Sequence, residues 1–199
     1  MDARLIAWAR GVKRRRPRAG GRASLPPLWF FTDETRLADP LPVIRRLPAG
    51  LCGVLFRHDS HPARERLAQA VARLCRTRRL PLIIAGDARL AAALGAGLHL
   101  RGGAAPAHRV AWRGPLSASA HDHGQLARAR RAGVALVFIS PVFPTASHPG
   151  APSLGARGWR CLAARGGRIK PYALGGITGR RVSALGKACA GIGAIDAFL

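Results

Sequence analysis

Short runs of apolar residues alternate along the chain with longer stretches in which apolar residues recur every three or four positions. An apolar run of four to six residues is typical of a strand buried on both faces, and the longer period is typical of an amphipathic helix. From Leu28 onward this pattern predicts eight strands, at residues 28–32, 53–57, 81–85, 97–100, 115–120, 135–140, 170–174 and 190–195.

The stretches between the strands predict six helices, at residues 39–46, 61–78, 87–94, 122–132, 154–164 and 178–188. Only residues 101–113 read as an irregular link or a very short helix. Strands that alternate with helical crossovers predict an α/β protein, here a single-domain (β/α)8 TIM barrel over residues 27–199. We expect its last βα unit to be incomplete, because the sequence stops just after the eighth strand.

Residues 1–26 form a basic N-terminal extension outside this rhythm. Asp2 is placed to cap a short helix with apolar residues between Leu5 and Ala9, and the glycines of residues 19–21 break it. We expect this helix to cover the barrel face that the incomplete last unit leaves open.

Composition narrows the class of protein. The chain has 199 residues, 48% of them apolar and 21% charged, and no apolar run approaches the roughly 20 residues of a membrane-spanning helix. The four cysteines lack the close spacing of zinc or redox sites, so we interpret them as small core residues in a reducing compartment. A soluble, cytoplasmic protein is expected, and homo-oligomer formation stays open.

Net charge is the unusual property: 33 Lys and Arg against 9 Asp and Glu give +24. Such a balance suggests phosphorylated or nucleic-acid partners, or else arginine decoration of ordinary helix surfaces. The charge is concentrated only at residues 13–18, and few aromatic residues are available for base stacking.

In (β/α)8 barrels the active site lies at the carboxyl ends of the strands, and acidic residues gather there in this sequence. We expect one mouth of the barrel to gather the side chains of Asp33, Asp59, Asp87, His121 and Asp196, the acids either for chemistry or as helix N-caps. Six of the nine lie within three residues of a predicted strand end: Asp33, Glu34, Asp59, Asp87, Asp122 and Asp196.

Three histidines, His58, His99 and His121, also lie on or just beyond strands, where an imidazole can act as acid or base near neutral pH. Each can equally be structural. His121 is the favoured catalytic candidate because Ser119 shares its strand end, and spacing alone gives no convincing metal cluster.

Two loops predict an anion site. Gly175 and Gly176 follow the seventh strand and precede a predicted helix, so their bare N–H groups can approach a phosphate, although a tight turn explains them as well. The proline-rich loop after the sixth strand brings Thr145, Ser147 and His148 over the mouth as donors, unless it is only a rigid connector.

Four motifs at matching spacing, at residues 97–100, 119–121, 141–145 and 173–177, resemble the thiamine phosphate synthase/TenI family over about residues 28–197. The resemblance implies a small (β/α)8 barrel of thiamine biosynthesis. Synthases couple hydroxymethylpyrimidine diphosphate to thiazole phosphate with Mg²⁺ and release pyrophosphate, whereas TenI-type relatives tautomerise a thiazole carboxylate phosphate.

By this resemblance the chain is expected to be a synthase-type transferase. The alternatives are a TenI-type isomerase or a catalytically degenerate relative that binds a phosphorylated heterocycle, and, from another class, a basic nucleic-acid-binding protein.

The resemblance also implies roles for single residues. Arg57 matches a pyrophosphate-binding arginine, Asp87 a magnesium ligand and Ser119 a serine near the diphosphate. Thr145, with Gly175 and Gly176, matches contacts to the thiazole phosphate. His121 matches the catalytic histidine of TenI-type enzymes, at a position where synthases often have a histidine too.

This chain departs from the synthase pattern mainly on the diphosphate side. Leu55 and Asp59 replace a glutamine and a lysine, Gly86 replaces an asparagine, and residues 101–105 lack the second magnesium aspartate. Two further changes are His148, which replaces the lysine of the loop after the sixth strand, and Asp196, which replaces a serine near the thiazole phosphate. The loss of a lysine and of a metal carboxylate removes stabilisation of a departing diphosphate. An aspartate beside a phosphate repels it unless the aspartate is protonated or paired.

Overall fold

The chain folds into a closed barrel of eight parallel strands in chain order. The structure, a computed structural model, describes residues 1–15, 25–103, 114–145, 150 and 152–199. The strands are β1 (Leu28–Phe31), β2 (Cys52–Phe56), β3 (Leu82–Ala85), β4 (Gly97–Leu100), β5 (Leu116–Ala120), β6 (Leu136–Ile139), β7 (Lys170–Leu174) and β8 (Gly191–Ala194). Since β1 pairs with both β2 and β8, the predicted TIM barrel is confirmed.

Six α-helices occur in the described residues. They are α1 (Ala3–Arg14), α2 (Leu41–Arg46), α3 (Arg64–Thr77), α4 (Ala88–Ala93), α5 (His123–Arg131) and α6 (Gly155–Ala164). Three short 3-10 turns lie at Arg101–Gly103, Val182–Leu185 and Asp196–Phe198.

The helix predicted at residues 178–188 is wrong. Only the 3-10 turn Val182–Leu185 forms there, and it ends at Gly186, whose φ of 76° lies in the left-handed region. Gly179 precedes the turn, so glycines bracket a segment too short for an α-helix. The other five predicted helices are confirmed, with ends that agree within three residues.

Side chains of alternate strand residues fill the barrel interior, as the period of two along a strand requires. Phe138 contacts Phe31 edge to face, with ring centroids 4.8 Å apart. Tyr172 donates its hydroxyl to the backbone oxygen of Pro26 at 2.9 Å, and a side chain at Gly191 would overlap the Tyr172 ring. The interior of the barrel is therefore a packed core.

Helix α1 packs on the outside of the barrel. Leu5, Ala9 and Val12, one face of the helix, are buried, and Asp2 caps it by accepting from the N–H of Arg4 at 2.8 Å. The helix begins beside the loops that follow β7 and β8 and ends near Gly50, which precedes β2. It therefore spans the height of the barrel and contributes to the shared core.

Three of the four cysteines are core residues, as predicted. Cys52, Cys75 and Cys189 are buried free thiols, whereas Cys161 is exposed on α6. Burial raises the pKa of Cys52 and Cys75 to about 12, so these thiols are inert. No helix in the described part of the chain is long and apolar enough to cross a membrane.

Candidate active site

The carboxyl ends of the strands open into a cavity of about 590 Å³, bounded by the loops after β1, β6, β7 and β8. Five of the residues predicted for the site line this cavity: Arg57, His121, Thr145, Gly175 and Gly176. Ser119 and Asp87 do not line it. Ser147 and His148 lie outside the described residues.

His121 faces the cavity with one ring nitrogen already engaged. Its Nδ1 lies 2.7 Å from the backbone oxygen of Ser140. The backbone N–H of His121 donates to the side-chain oxygen of Gln125 at 3.1 Å. A carbonyl oxygen can only accept, so Nδ1 carries the proton and neutral His121 has Nε2 as its basic nitrogen. A ring held in this way can take up or release a proton at the cavity wall.

Ser119 does not pair with His121; it belongs to a deeper network. His99 joins Ser117 and Ser119, with 2.9 Å from Nδ1 to the first hydroxyl and 2.9 Å from Nε2 to the second. Burial, together with the positive charges of Arg101 and Arg57, lowers the pKa of His99 to about 3. The neutral ring is therefore a structural part of the interior.

His58 is also structural. It is fully buried, stacks on Phe56 at 5.2 Å, and bonds to the hydroxyl of Thr32 and the backbone oxygen of Leu37. Burial lowers its pKa. His121 is thus the histidine, among the described residues, that the cavity wall presents.

The glycine loop after β7 is a tight turn with bare backbone. Gly175 and Gly176 have φ of 94° and 63°, and a Cβ on Gly176 would lie 2.5 Å from the Pro144 oxygen. The N–H groups of both glycines donate to no acceptor within the described part of the chain. Because no α-helix follows, the expected positive helix end is absent from this loop, and an anion would rely on these N–H groups and on side chains.

The acidic residues converge at the mouth as expected, and arginines meet most of them. These partners were not found from sequence, because the pattern located the acids without showing which arginines reach them. The pairs are Arg36 with Asp196 at 2.8 Å, Arg57 with Asp33 at 2.9 Å, Arg64 with Asp87 at 2.9 Å and with Asp59 at 3.8 Å, and Arg101 with Asp59.

Both oxygens of Asp87 are occupied. One accepts from Arg64, and the other caps α4 by accepting from the N–H of Leu90 at 2.9 Å. Asp59 is held by Arg101 and Arg64, and no group of three or more His, Cys, Asp or Glu among the described residues could hold a metal ion. This donor set does not fit the Mg²⁺ that the resemblance implies, since guanidinium groups lie where a cation would be.

Two further lining residues come from unexpected places. Asp2 lies at the start of α1, and its carboxylate accepts from the N–H of Gly179 at 2.7 Å, which is the main reason that its pKa is lowered. Arg181 reaches the cavity from the loop after β7. No sequence pattern links Asp2 to that loop, because the contact spans 177 positions.

These observations define a (β/α)8-barrel protein with a cavity at the carboxyl ends of its strands, lined by one histidine and a glycine loop. Residues 29–198 match the family model described as thiamine monophosphate synthase. The chain belongs to this family. The match begins within β1, so α1 and Asp2 precede it.

Curated relatives and solved structures agree. The chain is 34% identical over 184 residues to a thiamine-phosphate synthase of Herpetosiphon aurantiacus, covering 86% of this chain and 88% of that one. It is 34% identical over 141 residues to the Geobacillus thermodenitrificans enzyme of the same name, covering 68% and 64%. The fold is similar to thiamine phosphate pyrophosphorylase from Pyrococcus furiosus, with a TM-score of 0.70, 23% identity, and coverage of 87% and 86%.

Proposed function

We propose that the cavity binds a phosphorylated heterocycle of the thiazole type and that His121 moves a proton between two of its atoms. This is the TenI-type reaction, a tautomerisation. The observation that supports it is the placement of His121 on the cavity wall, with Nδ1 donating to Ser140 and Nε2 left as the basic nitrogen.

Tautomerisation requires only that the site bind the ligand and provide one group that moves a proton. Nε2 removes a proton from one carbon of the ligand, and the imidazolium returns a proton to another, so no atom enters or leaves. The backbone oxygen of Ser140 keeps the ring in one orientation and accepts a hydrogen bond from Nδ1–H in both charge states of the ring. No leaving group needs neutralising.

The synthase reaction, which couples two substrates, needs more positive charge in the site than tautomerisation does. A departing diphosphate must be stabilised by cations, and in this chain Arg64 and Arg101 already neutralise the carboxylates at the ends of β2 and β3. The synthase reaction is the second candidate, favoured by the names of the curated relatives and by Arg57, which lines the cavity.

The experiment compares both reactions in the same preparations. Proton transfer is followed by NMR as deuterium incorporation from solvent into a thiazole carboxylate phosphate, and coupling as thiamine phosphate formation from the two synthase substrates. His121→Gln should lower kcat for proton transfer by about 10²-fold or more, the usual contribution of a general acid–base group. Asp87→Asn should leave proton transfer unchanged.

His123→Gln is the matched control, because His123 is exposed two positions away on α5 and does not line the cavity. Proton transfer that survives His121→Gln would contradict the proposal. Coupling that requires Mg²⁺ and disappears in Asp87→Asn would establish the synthase instead.

A further inference from the structure

Three arginines line the cavity, and two of them are already paired. Arg36 is held by Asp196 and Arg57 by Asp33, at 2.8 and 2.9 Å. Arg181 has no carboxylate partner within the described part of the chain. Its only polar contact there is a long hydrogen bond of 3.4 Å from Nη1 to the backbone oxygen of Gly176.

The guanidinium of Arg181 lies between two loops. Its Cζ is 5.3 Å from the ring centre of Phe143, in the loop after β6, while Nη1 reaches the glycine loop after β7. These loops carry Thr145, Gly175 and Gly176, all of which line the cavity. An anion bound by these groups would therefore be within reach of Arg181.

The charges around the cavity show why this cation matters. Asp2 and Asp196 line the cavity beside Arg36 and Arg57, and Asp33, which is not part of the lining, neutralises Arg57. Without Arg181 these groups offer no net positive charge to a phosphate group, and the two paired arginines could bind it only by giving up their aspartates. Arg181 supplies the missing positive charge, and its planar fork suits two phosphate oxygens.

We propose that Arg181 is the cation that binds the phosphate group of the ligand, exchanging its weak bond to Gly176 for phosphate oxygens. This inference rests on the proposed function, because it assumes a phosphorylated ligand in the same cavity. It makes Arg181 the residue by which the site distinguishes a phosphate ester from the corresponding alcohol.

The test is calorimetric binding of three probes: hydroxyethylthiazole phosphate, the unphosphorylated hydroxyethylthiazole, and inorganic phosphate. Arg181→Gln should weaken binding of the ester by about 10- to 100-fold, the range for a lost charge-assisted contact, and leave the alcohol unaffected. Arg181→Lys should recover part of the loss, because it restores the charge without the fork.

Arg180→Gln is the matched control, since Arg180 is the preceding residue, is exposed and does not line the cavity. It should bind the ester within twofold of the unmutated protein. Equal affinities in the Arg181→Gln and Arg180→Gln proteins would overturn the inference while the proposed function stands. An unmutated protein that binds none of the phosphorylated probes would overturn both.

Discussion

The carboxylate of Asp2 joins the first turn of α1 to the loop after β7. One oxygen accepts from the N–H of Gly179 at 2.7 Å, and the other from the N–H of Arg4 at 2.8 Å. A side chain at Gly179 would collide with this carboxylate, so the glycine allows the close approach. A helix that precedes the family-matched residues thus supplies part of the cavity wall.

Substitutions of Asp2 should separate these two bonds. Asp2→Ala loses both acceptors and should lower the free energy of unfolding by about 1–2 kcal/mol, the upper part of the range for a lost N-cap. Asp2→Asn keeps one acceptor oxygen and should lose about half as much. Urea denaturation at neutral pH measures both, and equal losses in the two variants would contradict a dual role.

The same carboxylate should make stability depend on pH. Its pKa is lowered from 3.8, chiefly by the Gly179 N–H, so it contributes stability above that value, which is lost as the pH falls through the lowered pKa. The difference between unmutated protein and Asp2→Asn should therefore be constant from pH 5 to 7 and shrink below about pH 4. A difference that persists undiminished at pH 3 would exclude this linkage.

Arg64 should control whether the mouth binds divalent cations. Its guanidinium holds Asp87 and Asp59, and it also donates to the backbone oxygen of Ala85 at 3.0 Å. Arg64→Ala leaves two carboxylates with less positive charge beside them, so Mn²⁺, measured by its EPR signal, should bind at least about tenfold more tightly than in the unmutated protein.

Arg66→Ala is the control for that change, because Arg66 is an exposed neighbour on the same helix. Affinity for Mn²⁺ should not change there. If the unmutated protein already binds Mn²⁺ tightly, and Arg64→Ala does not raise that affinity, the guanidinium of Arg64 does not occupy the place of a metal ion.

The parts of the fold that could be predicted were those specified by local sequence. The eight strands were found because most of them are buried on both faces and read as short apolar runs, and their parallel order carried the acidic residues to one mouth. The helix expected at residues 178–188 failed because the pattern of apolar positions outweighed Gly179 and Gly186, which end regular structure.

The contacts that define the site could not be predicted in the same way. Arg64 was part of a helical surface in the sequence, and only the barrel geometry brings it to Asp87. Likewise, the sequence does not show that Gly176 excludes a side chain, which follows from its φ of 63° and from the Pro144 oxygen beside it. Both facts depend on loops that are distant along the chain.

The alternative of a nucleic-acid-binding protein rests on the excess of positive charge, and charge substitutions can test it. Deleting the basic extension would remove Leu5, Ala9 and Val12 from the core, so charge substitutions are the better variants. Replacing Lys13, Arg14 and Arg15 by glutamine should reduce DNA affinity no more than a control triple at the exposed residues Arg66, Arg157 and Lys187.

The physical reason is that scattered surface charge binds DNA only by displacing counterions, which is weak at physiological salt and falls steeply as salt rises. Fluorescence anisotropy with random and fixed duplexes, at about 50 and 200 mM salt, measures both triples. We expect the same salt slope for both and no preference among duplexes. Tight binding of one sequence at physiological salt, lost only in the triple at residues 13–15, would establish nucleic acid as a partner. It would then argue against ligand binding in the cavity as the main function.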